Sequence, residues 1–459
     1  MILLVLLAAA ITLAVGYAAK VYLEKTNSEK RITNKEFLIA GAVMLVLVIP
    51  GTAYVGRQMA ISNQVTFTEN WTGWETGVTW EKIKCERDGW CKRCYDCDPY
   101  KVKYDCSYYV DDGKGGRKRV EKECERTEYH SCPYTDYEWT FVVHTTLGDY
   151  TIAWHNLPTN PDSHRWRWST RVPSHYESGV PDFWQRASDR LNAGNPGPVT
   201  ARKPYANYIL ASQSSILKRF NSEVEQYSKA GLFPEIAQDK DVYGFYYLNR
   251  AYFVGVNRPA GDWQAAINRF NGAFGTMLQG DLHLVVVDAN KIDNPDNYAG
   301  ALTAYWQSEK FEKQALSKNG VVIVLGTKDG KTVDWARATT GMPMGNEHLL
   351  LQLQYDLKGV ALDPQTLLGN PTARVLSQDK VSVSLSTGVL ENILWGKNKF
   401  ERVRMGGDDG EGGFKYLLTE IEPTTGQMIG ILVAMLFFAA VAWGICIVAG
   451  DDVFRRFRR

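Results

Sequence analysis

Cys91, Cys94 and Cys97 stand at intervals of three residues, a spacing that can bring thiolates around one zinc ion or an iron–sulfur cluster. Cys85, Cys106, Cys124 and Cys132 complete a window holding seven of the eight cysteines. In an oxidising compartment the same thiols form disulfides, which stabilise a small β-rich module with little core of its own. Seven is odd, so one thiol is left free or bound to a partner, or several share a metal; the pairing is not readable from spacing. Asp288, Asp293, Asp296 and Asp329 follow apolar runs and offer hard oxygens to a cation such as calcium. Calcium needs six or more converging oxygens, and a solvated turn is the plainer reading of each. Gly326–Thr332 imitates a phosphate-binding loop but is one residue short of its spacing. Strand-like alternation follows it where a helix would be needed, so it reads as a charged turn. Glu347-His348 is an isolated acid–base pair, and His144, His155, His164 and His175 fit no metal spacing. No G-x-S-x-G, H-E-x-x-H or EF-hand pattern occurs, so neither catalytic residues nor a cofactor are expected.

Three charge-free apolar runs must hold whatever these residues do: 1–19, 37–56 and 428–450. Each is long enough to cross about 30 Å of hydrocarbon as a helix. Lys20, Lys25, Lys30, Arg31 and Lys35 fill the loop 20–36, and Arg455, Arg456, Arg458 and Arg459 fill the tail 451–459. Both basic flanks are expected in the cytoplasm, which puts the N-terminus and residues 57–427 outside. A rival reading makes residues 1–18 a cleaved signal peptide ending at Gly16-Tyr17-Ala18, but a basic leader is missing. With 52 basic and 51 acidic side chains, no global field draws the chain to nucleic acid. Cys446 lies in the third run and reads as an inert apolar residue.

Nine of the fourteen tryptophans lie between Trp71 and Trp184, and residues 57–156 read as a cysteine-rich β module. Asp111–Gly116 forms its turn, and Lys114, Arg117, Lys118 and Arg119 lie at a basic tip. A second hairpin joins Trp139–Thr145 to Tyr150–His155 through Leu147-Gly148-Asp149. Residues 157–240 hold a proline-rich connector, irregular to residue 204 except for a short helix near Asp182–Leu191, then an amphipathic helix over Tyr208–Lys229. From 241 to 400 apolar strand runs alternate with helical stripes, the pattern of an α/β sandwich covered on both faces. Residues 401–427 form a glycine-rich linker. The helix expected from Asn297 runs to about Leu316, into the strand Val321–Leu325.

That α/β stretch resembles the TPM domain family of membrane-anchored and lumenal proteins, over residues 258–400. The resemblance rests on the strand Leu282–Asp288, on Trp306 leading into Asn319-Gly320-Val321-Val322-Ile323-Val324, and on Lys331–Gly341 after a charged turn. The glycine-rich Gly406–Gly413 is similar to the tails of many members. The resemblance implies a domain outside the cytoplasm that maintains a membrane complex. It also implies acid phosphatase activity or calcium binding in some members, but Lys318 stands where the family often has aspartate. The expected function is therefore a non-enzymatic integral membrane protein that binds or steadies another membrane or extracytoplasmic protein. The alternatives are a membrane-tethered, metal-dependent phosphatase and a phage- or virus-encoded membrane protein.

Overall fold

A computed structural model describes all residues except 27–32, 85–91, 112–116, 136, 153–179, 213–218, 237, 241–245, 309, 312–314, 342–344, 403–404, 406–412 and 457–459. The architecture is mixed α/β with several sheets. Among the described residues, three helices are long and apolar enough to cross a membrane: α1 (Ile2–Lys25), α2 (Asn34–Val65) and the span Thr425–Cys446 within the C-terminal helix. Thr33 and Glu36 close a capping box at the start of α2. Met44–Val48 widens to a π-turn. Pro50 explains this: it has no N–H, and its ring would strike the carbonyl of Val46 in a regular α-helix. Ala8, Ile49, Ala53, Ile431 and Met435 knit the three helices together.

α2 passes straight into β1 (Thr66–Lys84) with no linker. β1 is long, and it changes partner midway. Its first part, Thr66–Trp74, pairs antiparallel with residues 198–206, and its second, Glu75–Lys84, pairs with residues 137–145. β2 (Lys92–Asp105) pairs with β5 (Glu123–Thr135) as a two-stranded ribbon, and β3 (Tyr108–Asp111) with β4 (Arg117–Val120). β6 (Tyr137–Thr145), β7 (Tyr150–Ile152) and β8 (Pro198–Ala206) complete a sheet ordered β7-β6-β1-β8. The expected hairpin is thus β6–β7; its end at His155 lies outside the described residues. The expectation of irregular chain up to residue 204 is corrected. Pro198 and Pro204 sit in β8, an edge strand, where a missing N–H can face away from the ladder.

The short helix near Asp182 is α3 (Asp182–Asn192), whose Phe183 and Ala187 cover Phe141, Val143 and Val199. The expected amphipathic helix is divided: α4 (Tyr208–Ala211) and α5 (Asn221–Lys229) flank residues outside the description. A small pair, β9 (Gln238–Lys240) and β10 (Tyr246–Leu248), precedes the α/β sheet. That sheet runs β11-β12-β13-β14: β11 (Ala251–Val254), β12 (Asp281–Asp288) and β13 (Gly320–Thr327) are parallel, and β14 (Trp335–Thr340) is antiparallel. Nearly every residue of β12 and β13 is buried, as a sheet covered on both faces requires. α6 (Trp263–Leu278) covers one face through Trp263, Ile267, Phe270 and Phe274. α7 (Pro295–Trp306) covers the other through Tyr298, Leu302 and Trp306. α7 ends at Trp306, short of the expected Leu316; the indole N–H turns back to donate to the Pro234 carbonyl at 2.8 Å. α8 (Glu347–Asp356), α9 (Pro364–Leu368), a hairpin of β15 (Thr372–Ser377) and β16 (Lys380–Ser384), and α10 (Val389–Leu394) follow. The chain then reaches α11 (Thr425–Arg456).

Two contacts order the junction between the apolar helices and the sheets. Gln64 of α2 donates to the Glu422 carbonyl at 2.9 Å and to Gln427 at 2.7 Å, so α11 starts against the end of α2. α6 lies directly on β1. A Cβ on Gly275 would stand 2.2 Å from the Thr72 carbonyl oxygen, and one on Gly272 2.7 Å from the Trp74 ring. Only glycine permits this approach of helix to strand.

Cys106 and Cys124 form a disulfide near the end of the ribbon stem, with a sequence separation of 18. Reduction is expected to withdraw about 3 kcal/mol from local ribbon stability by the loop-entropy argument. The result should be faster tryptic cleavage at Lys101 and Lys103, with no change in the thermal midpoint of the α/β domain. A midpoint that falls with ribbon protection would contradict the ribbon's independence.

Candidate functional site

The sheet offers two polar regions, one at each end of its strands. At the amino end, Asp281 and His283 occupy alternate positions of β12, so both point to one face. Arg250 precedes β11, and all three are at most 3% exposed. Arg250 Nε lies 2.7 Å from Asp281 Oδ1, and Asp281 Oδ2 lies 3.0 Å from His283 Nε2. The Asn70 side chain donates to Asp281 at 3.2 Å. The guanidinium donates to Thr72 at 3.0 Å, Asn268 at 3.3 Å and Thr200 at 3.4 Å. β1, β8, α6 and the α/β sheet therefore meet on one buried ion pair. Burial would raise the Asp281 carboxyl, but Arg250 and His283, with the hydrogen bonds from His283 and Asn70, outweigh it and hold the group below its usual range. Asn319 lies beside this cluster and donates to the carbonyls of Asn70 and Gln279, each at 3.0 Å. Its role here is to tie β1 to the α6–β12 turn.

Nearby, cations gather on aromatic rings. Lys203 stands 4.4 Å and Arg402 5.4 Å from the Trp71 ring centre, and Lys318 stands 5.4 Å from that of Tyr205. Glu69 pairs with Arg402. Burial, then Arg402, pushes the Lys318 ammonium down to about 8 against the opposing pull of Glu69. Burial likewise pushes Tyr205 up to about 12. Lys318 thus occupies a cation–π cradle in place of the carboxylate the resemblance would put there.

At the carboxyl end the chain leaves β11 toward α6 on one face and β12 toward α7 on the other. Such divergence opens a crevice, the usual ligand position of open α/β sheets. Here it is a cleft of about 610 Å³ lined by Gly255–Ala260, Asp288, Asn290, Thr327–Lys331 and Ala361–Asp363. Asp288 and Asp329 therefore come together on one cleft, joined by Asp363, which sequence reasoning did not select. Each is partly engaged by its own loop. Asp288 accepts from the Asn290 backbone at 3.0 Å, and Asp363 from that of Thr366 at 2.9 Å. Asp329 accepts from the backbones of Lys331 and Thr332 at 2.8 and 2.9 Å. Those two donors lead the causes that lower its carboxyl to about 2. This carboxylate supports its turn fully above the ordinary value of 3.8 and loses that support as pH falls toward about 2. Side-chain carboxyl NMR should show the low titration, and Asp329→Asn should loosen Lys328–Thr332 on hydrogen exchange.

Asp296 is elsewhere, paired with Arg337 at 2.5 Å, and Asp293 lies toward Tyr227, whose hydroxyl it helps raise after burial. Among the described residues no three His, Cys, Asp or Glu side chains gather as a metal group. Cys85 and Cys91 lie outside the described residues, as do His155, His164 and His175. Cys94, Cys97 and Cys132 lie in the ribbon strands, with Cys132 opposite Tyr95 in the ladder; their side chains lie outside the description. His144 is buried in β6 and bonds Thr79 at 2.9 Å. Of Gly326–Thr332, the first two residues end β13 and the rest turns toward antiparallel β14.

Comparison with protein-family models, with curated proteins and with solved structures finds no match. The geometry alone must therefore carry a functional reading. Arg250, Asp281 and His283 escaped the sequence reading because their partners are remote in the chain. The one available signal was Asp281-Leu282-His283, two polar residues on one face of an otherwise apolar strand.

Proposed function

We propose that this chain is a multi-pass membrane protein that is not an enzyme and that binds or steadies another membrane or extracytoplasmic protein. In this reading the N-terminus and residues 57–427 face away from the cytoplasm, with a TPM-like α/β domain beside a cysteine-rich β module. The basic flanks of the spans and the Cys106–Cys124 disulfide support that sidedness. The carrying observation is the β2–β5 ribbon. Neither strand pairs with another sheet among the described residues, and Tyr100, Tyr104 and Tyr129 are exposed along it. An isolated two-stranded ribbon is marginal in water, and tyrosines lend rigid contact area. A photoreactive phenylalanine analogue at position 129, activated in native membranes, is expected to give one discrete adduct that also copurifies in gentle detergent. An unmodified monomer from ribbon positions, with nothing copurifying, would sink the reading.

The strand-end cleft favours a second reading, a membrane-tethered, metal-dependent phosphatase. Asp288 and Asp329 would hold calcium or magnesium there, and Lys328 and Lys331 would meet a phosphate. Full-length protein turning over a generic phosphomonoester with calcium, magnesium or manganese, and losing this in Asp288→Asn, would support it. Absence of turnover with all three cations removes it.

A further inference from the structure

A second cleft, of about 640 Å³, lies between α3 and the first half of α6, with Pro198–Thr200 of β8 and Leu248 as its floor. That volume suits a small organic ligand. Phe183, Val199 and Leu248 give it an apolar base, and Arg186, Arg190 and Arg269 stand around it. Its carboxylates are already engaged. Glu75 is wholly buried and accepts from Arg190 Nε at 2.9 Å and from the Gly197 backbone at 3.0 Å. Asp262 accepts from the Ala265 backbone at 3.1 Å as the N-cap of α6. Arg269, by contrast, donates to a neutral group, the Asn195 side chain, at 2.8 Å. Under the floor lies the buried Arg250–Asp281 ion pair. Arg250 bonds Thr200 and Asn268, both of which line the cleft, and so fixes that wall. Arg190 and Arg250 are thus paired with the buried carboxylates of Glu75 and Asp281, and Arg186 of α3 and Arg269 of α6 are further cations of the lining, which also holds the exposed N-cap Asp262. In a low-dielectric recess such an arrangement attracts an anion.

We propose that this cleft binds a small organic anion, a carboxylate on an apolar body. Arg269 and Arg186 meet the charge, and Phe183, Val199 and Leu248 hold the body. Guanidinium suits a carboxylate because its planar fork can donate two parallel hydrogen bonds. The site is separate from the ribbon and from the strand-end cleft, so it stands or falls apart from the proposed function.

The test is fluorine NMR of 4-(trifluoromethyl)benzoate with the full chain in nanodiscs of zwitterionic lipid. Saturable line broadening is expected with the benzoate and not with 4-(trifluoromethyl)benzamide, which keeps the shape and lacks the charge. Arg269→Leu should weaken binding by about tenfold or more, the effect of losing one charge-assisted hydrogen bond. Arg186→Leu should act in the same direction. Lys331→Leu, in the other cleft, should change nothing. Equal broadening by the amide overturns the proposal. So does a benzoate signal that resists both arginine substitutions, or one lost only with Lys331→Leu. Matched thermal midpoints of the variants exclude misfolding as the cause.

Discussion

Arg250→Met is expected to destabilise the folded region between the apolar helices by about 3–5 kcal/mol at neutral pH, because it leaves the Asp281 carboxylate buried without its charge partner. The lost hydrogen bonds to Thr72, Thr200 and Asn268 add to the damage. Wild-type Asp281 titrates below its ordinary value of 3.8, so its stabilising contribution is complete above that value and fades as pH falls through the lower folded value. In the variant, burial acts with less opposition and raises the carboxyl. The defect should then shrink as pH falls from about 7.5 to about 5, since protonation relieves the buried charge. Thermal unfolding of the two proteins in nanodiscs, followed by tryptophan fluorescence, measures the gap. Arg250→Met with Asp281→Leu should recover most of the loss, as replacing a whole buried pair is far milder than halving it. A gap that is independent of pH, or a double variant worse than the single, would contradict this account.

Trp74→Ala carries the second large effect. Trp74 is fully buried in β1, against α6 at Gly272. Removing it is expected to cost about 3–5 kcal/mol. Gly272→Ala should be severe in the wild type, where its Cβ would meet the indole at 2.7 Å, and much milder once the indole is gone. That non-additivity, read from denaturant unfolding, marks a direct contact between strand and helix. Additive effects would mean that the contact contributes little.

Some of this was visible in the residues alone. The apolar runs stand out because charge is absent from whole membrane-length stretches, and the corresponding helices are long enough to span. β12 and β13 were visible because burial on both faces makes them continuous apolar runs. β8 was hidden by its two prolines, which suggest loop unless the edge position is known. Asp288 and Asp329 could be picked out as loop acids following strands, and they do share a cleft. Nothing local could tell them from Asp293 and Asp296, because convergence depends on which face each crossover takes. The Arg250 network was invisible for a similar reason: it joins Thr72, Thr200, Arg250 and Asp281, and long-range pairing decides that they meet. The strand pattern also left Glu75–Arg190 and the Lys318 cradle unannounced.

The junction of α2 and β1 at Val65–Thr66 has a mechanical consequence. A helix advances about 100° per residue and a strand about 180°. With no flexible segment between them, the azimuth of the membrane helix sets which side of β1 faces α6. Inserting one residue at this point would turn the strand over or the helix around its axis. In a bilayer whose thickness sets the tilt of a spanning α2, the sheets would lean with the helix as one lever.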